Sequence, residues 1–82
     1  MKKVTNSSGE EIGEIQIDKN QITICHKTKP PLIISDIELI NSILRKDETV
    51  FPILFNDYEL LIAEIAALYD IHYATARKHL AA

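Results

Sequence analysis

Histidines, cysteine and paired cations are few in this chain, and their spacing decides which chemistry they can share. His72 and His79 stand seven residues apart, which places both on one face of a helix. Two imidazoles without a third acidic or thiol ligand make a weak metal site, so surface histidine is the expectation for both. Cys25 and His26 are neighbours in a strand-like segment, where adjacent side chains point to opposite faces, so no shared ligand role is expected. Cys25 itself is expected to be a buried or half-buried thiol. As the sole cysteine it excludes an internal disulfide scaffold and a cysteine-rich zinc site. Ser7, Ser8, Ser35 and Ser42 have no neighbours that would activate a nucleophile. The two glycines, Gly9 and Gly13, make no phosphate-cradling loop. Glu10, Glu11, Asp47 and Glu48 read as solvated loop carboxylates. The expectation is therefore a protein that is not an enzyme and uses no cofactor and no metal.

Charge is distributed unevenly along the chain. Residues 1–30 carry a balance of +1, residues 31–70 a balance of −6, and residues 71–82 a balance of +2 from Arg77 and Lys78 with no acid. The total of −3 argues against a non-specific polyanion binder. The basic end is nevertheless where the most specific pattern lies.

The elements that must position these residues follow from periodicity. Lys3 to Thr5 precedes a cluster of turn formers, Asn6-Ser7-Ser8-Gly9. Alternating isoleucines (Ile15, Ile17; Ile22, Ile24) predict two antiparallel strands joined across Asp18-Lys19-Asn20-Gln21, with Asn20 suited to a left-handed conformation. Pro30-Pro31 is expected to end the sheet region, because neither residue can donate a backbone hydrogen bond. Ser35 followed by Glu38 reads as a capping box for a helix over about 36–46. Ile33, Ile37, Ile40 and Leu44 would form its buried face, with Arg45 and Lys46 in its last turn. Residues 47–56 read as an extended or single-turn connection around Pro52, with Phe51, Leu54 or Phe55 packed down. Asn56 with Glu59 reads as a second cap, opening a helix that runs to Tyr69. Tyr69 is expected in the core, with Tyr58 and Tyr73 partly exposed.

The segment from Ile62 to Leu80 resembles the helix-turn-helix family of DNA-binding domains. A small residue, Ala66, stands where two helices would cross closely, with Ile65 and Tyr69 facing the shared core. A turn follows four residues later at Asp70, Ile71 plugs the gap, and Thr75, Ala76 and Leu80 fall at matching positions of a second helix. The chain departs from the pattern at three places. Asp70 replaces the usual glycine, Ala76 a valine or isoleucine, and His72 the serine or threonine that normally caps the second helix. The resemblance implies a recognition helix over about 73–81 lying in the major groove. It also implies DNA contacts from His72, Tyr73, Ala74, Arg77 and Lys78. Arg77 would read a guanine edge and Lys78 would meet phosphate.

The chain has 82 residues, 46% of them hydrophobic and 26% charged, enough for one domain that folds. The expected fold class is α+β, mostly α: a small antiparallel β-hairpin or sheet over 1–29, then a three-helix unit over 32–82 containing the helix-turn-helix. The expected partner is double-stranded DNA, in transcriptional regulation or in targeting a larger DNA-acting protein. A homodimer or an additional C-terminal domain would supply affinity, since Leu80-Ala81-Ala82 leaves the last helix without a C-cap, as in a fragment. No apolar stretch is long enough to span a bilayer and no signal-peptide core follows Met1, so a cytoplasmic protein without a membrane partner is expected. The alternative function is a protein–protein interaction module that keeps the fold without binding DNA.

Overall fold

A computed structural model describes residues 2–81. Four strands come first: β1 (Lys2–Thr5), β2 (Glu11–Ile17), β3 (Ile22–His26) and β4 (Lys29–Ile34). They form one antiparallel sheet in the order β1-β2-β3-β4. Three helices follow: α1 (Ile37–Leu44), α2 (Ile62–Tyr69) and α3 (Tyr73–Ala81). Ala82, and with it the uncapped end read from the sequence, lies outside the described residues.

The fold is α+β and not mostly α, with 28% strand against 43% helix. The difference from the expected hairpin is the fourth strand. Pro30 and Pro31 do not end the sheet but lie inside β4. Two features make this possible. β4 is an edge strand, so an absent N–H leaves no inward partner unpaired. The register also slips at that point. Ile24 opposes Leu32 and His26 opposes Lys29, so Cys25 alone faces both prolines across a bulge. The expected boundary between sheet and helical unit therefore falls within a strand.

Alternation holds through the sheet. Val4, Ile15, Ile22, Ile24 and Ile34 point to the helices and are buried. The intervening Gln16, Cys25 and Ile33 point outward, so the Cys25 thiol is exposed rather than half-buried. Asn20 keeps a negative φ, and the loop closes through a hydrogen bond from the Asp18 N–H to the Gln21 carbonyl at 2.9 Å.

The first helix is capped one residue later than expected. Asp36, not Ser35, takes the extended N-cap conformation, and its carboxylate accepts from the Glu38 and Leu39 N–H groups. The buried face is accordingly Leu39, Ile40 and Ile43, while Ile37 and Leu44 are exposed. Ile33 belongs to the outer face of β4 instead of to a helix. Arg45 closes α1 and Lys46 turns left-handed at φ 61°.

The connection is more ordered than a single turn. A 3-10 turn over Glu48–Val50 leads into a π turn over Ile53–Asp57, closed by the Tyr58 N–H to the Ile53 carbonyl at 3.2 Å. Phe51 and Leu54 are buried and Phe55 is exposed. The second cap expected at Asn56 does not form. Glu59 adopts φ 57°, which breaks the helical path, and Leu60 is drawn into the core beside Leu54. Helix α2 therefore starts only at Ile62. Glu64, buried, accepts from the Leu61 N–H at 2.7 Å and so satisfies an amide that α2 leaves unpaired.

Candidate nucleic-acid interface

Helices α2 and α3 are joined by three residues, Asp70-Ile71-His72. Asp70 closes α2 in the left-handed region, φ 54° and ψ 41°, a conformation aspartate tolerates better than most residues. Its N–H turns back to the Ala66 and Ala67 carbonyls, and the Ile71 N–H reaches the Ala66 carbonyl at 3.0 Å. A glycine could make the same turn but could not make the clasp seen here. The Asp70 carboxylate receives Lys2 Nζ at 2.8 Å and Lys46 Nζ at 3.3 Å, and Lys2 Nζ also donates to the Ala67 carbonyl. One turn is thereby tied to β1 and to Lys46, two residues beyond the end of α1. The two ammonium groups hold the Asp70 carboxyl below its ordinary range.

His72 takes the capping role expected of a serine or threonine. Its Nδ1 accepts from the Ala74 N–H at 3.2 Å, which assigns the ring proton to Nε2. Ala66 and Ala76 are both buried where α2 packs on α3. Tyr73 and Leu80 pack partly against the core. The far end of α3 is fixed by an aromatic chain. The His79 ring meets Phe51 edge-on at 5.6 Å, and Phe51 meets Tyr69 edge-on at 4.5 Å. The Tyr69 hydroxyl donates to the Asp47 carbonyl at 2.7 Å. Burial, with the nearby Asp47 and Glu48 carboxylates, pushes that hydroxyl's pKa strongly up, so it stays a donor.

The two histidines therefore do different work, and His79 Nε2 lies 3.5 Å from Glu48. Among the described residues, no group of three or more His, Cys, Asp or Glu converges into a metal-holding cluster. No helix among them is long and apolar enough to cross a membrane.

The residues implicated by the sequence divide over two sides of α3. Tyr73, Ala74, His72 and Arg77 line a groove of about 590 Å³, whose opposite wall is β1 and the β1–β2 turn. Lys78 lines a second concavity on the other flank, of about 580 Å³, with Thr75, His79 and again Ala74. Ala74 borders both and so stands on the crest of the helix. Lys3, Asn6 and Ser7 enter the first groove from the opposite end of the chain. No local pattern in the sequence could have marked them, because the pairing of β1 with β2 and the docking of β1 on α2 bring them there.

Among the described residues, no acid lines either groove. Glu59 and Glu64 line a different concavity, beside His26 and Lys29 of the sheet. Asp70 and Glu48 border α3; Asp70 is paired with two lysines, and Glu48 lies 3.5 Å from the His79 ring. Comparison with protein-family models, with curated proteins and with solved structures yields no match to this chain.

Proposed function

We propose that the chain binds double-stranded DNA, with α3 as the recognition helix. The observation that carries this reading is the make-up of the two concavities beside α3, among the described residues. In a chain of net charge −3, both concavities flanking that helix are lined by cations and neutral residues alone. A helix about 10–12 Å across fits a major groove about 12 Å wide. The small side chain of Ala74 on the crest lets the backbone approach base edges closely. Arg77, one turn further on, is placed to offer its guanidinium to a guanine, and Lys78 to meet phosphate. On this reading Tyr73 meets a phosphate or a thymine methyl, and His72 is a further contact at the start of α3. Such a module serves transcriptional regulation, or the targeting of a larger DNA-acting protein, and is suited to use in pairs because one short helix reads few bases.

Selection from a random duplex library, followed by Arg77→Ala on the enriched site, tests the reading. Loss of ~1–3 kcal/mol and relaxation of one base preference are expected. Absence of any enriched sequence would count against DNA recognition.

A second reading, a protein-interaction module, is favoured by a different observation. Ile33, Ile37, Leu44, Ile53 and Phe55 are large apolar side chains left exposed. On that reading they would meet a partner protein or a second copy, and the duplex selection would fail.

A further inference from the structure

Resting on the DNA-binding reading above, we infer that the β1–β2 turn is a second contact element, gripping the sugar-phosphate backbone that borders the major groove on one side of α3. The groove between them has a cation on each wall, Lys3 on β1 and Arg77 on α3, with neutral donors Asn6 and Ser7 at the turn. A helix seated in a major groove has a phosphate strand along each flank, and this groove is the flank facing the sheet. Its width is fixed by contacts already described. Val4 is fully buried, and Lys2 donates to both the Ala67 carbonyl and the Asp70 carboxylate, so β1 is docked beside the turn that launches α3.

The turn itself is preorganised. Asn6 Oδ1 accepts from the Ser8 and Glu10 N–H groups, at 2.9 and 3.0 Å. The Gly9 N–H reaches the Asn6 carbonyl at 3.0 Å with φ at +84°. Ser7 and Ser8 stay exposed at its tip. A rigid tip loses little freedom when it meets a phosphate. Lys3 currently pairs with Glu11 at 3.4 Å, an exposed contact that a phosphate can replace.

The test compares Lys3→Ala, Ser7→Asp and Arg77→Ala with the parent chain on the enriched duplex over a range of salt, with thermal melts confirming folding. Lys3→Ala is expected to weaken binding about 3- to 10-fold and to flatten the log–log salt slope by about 1, without changing the preferred sequence. Ser7→Asp, in an exposed turn where folding is unaffected, should weaken it about 10-fold or more by setting a carboxylate against phosphate. If both variants bind like the parent while Arg77→Ala is impaired, the turn makes no contact and this inference falls alone. If the parent chain binds no duplex even at ~50 mM salt, the DNA reading falls and takes this one with it.

Discussion

Asp70 carries two demands that usually fall on different residues. Its backbone must be left-handed, which favours glycine, and its side chain must hold Lys2 and Lys46, which glycine cannot do. Substitutions separate the two. Asp70→Asn keeps tolerance of the left-handed region and removes the charge, so it should cost less than about 1 kcal/mol, as exposed ion pairs do. Asp70→Ala loses the clasp and also the short polar side chain that makes the left-handed region tolerable, a conformation that costs ~1–2 kcal/mol outside glycine, asparagine and aspartate, so it should melt lowest. The charge contribution has a defined pH window. The folded carboxyl titrates below its unfolded value, so its stabilisation is complete above the unfolded pKa of ~3.9 and disappears as pH falls through the folded one. The gap between parent and Asp70→Asn should therefore be present at neutral pH and close in acid. Asp47, held low by hydrogen bonds from Thr49, titrates in the same region, so the difference between the two chains is the quantity to follow. A gap that is constant with pH would mean that the lysines contribute nothing through the charge of Asp70.

The strands and helices are held by rules of different reach, and this governs what could be read in advance. Gly13 shows the tightest local constraint. It lies in β2 opposite His26, and a Cβ there would collide with the Cys25 carbonyl oxygen, with the Cys25 carbonyl carbon 3.2 Å and the His26 Cα 3.3 Å away. These are backbone atoms and cannot rotate aside. Gly13→Ala should destabilise the protein by ~1–3 kcal/mol in urea unfolding, as overpacking does, and a parent-like midpoint would show that β2 and β3 are further apart there. The turn at Asn6-Gly9, the alternating isoleucines and the α2–Asp70–α3 sequence were legible because each depends on side chains close in sequence. Three features were hidden because tertiary contacts decide them. Pro30-Pro31 is a stop signal unless the strand lies at an edge with a bulge opposite, and neither condition is visible locally. Asp36 and Ser35 are both good caps, and docking on the core buries the Leu39, Ile40 and Ile43 face of α1 rather than the Ile37 and Leu44 face. The run from Tyr58 to Leu61 has helical periodicity, yet burial of Leu54 and Leu60 imposes a left-handed Glu59 and delays α2. On the proposed interface, His72 to Lys78 came from one short pattern, whereas Lys3, Asn6 and Ser7 came from the first strand.

Taken whole, the molecule separates its charges although its net charge is negative. Glu64 accepts from an amide at the start of α2, Asp70 holds two lysines, and Glu59 lines the β3–β4 side, so among the described residues no acid lines the two grooves beside α3, although Asp70 and Glu48 border the helix. This arrangement limits how strongly the domain can hold any polyanion. Lys2 and Lys46 are committed to Asp70, and the cations lining the two grooves are Lys3, which pairs with Glu11 at 3.4 Å, Arg77 and Lys78. With Arg77 on a base edge, Lys3 and Lys78 supply two phosphate neutralisations per chain, which imply a log–log salt slope of about −2 for one copy and about −4 for two copies on paired half-sites. Isothermal binding to an enriched duplex across the salt range measures it directly. A slope near −2 with a single short motif would identify a monomeric reader, and a doubled slope with a repeated motif one helical turn apart would identify a dimer. A slope near zero would mean that the cations around α3 meet no phosphate. In that case the exposed apolar residues Ile33, Ile37, Leu44, Ile53 and Phe55 would become the surface to probe.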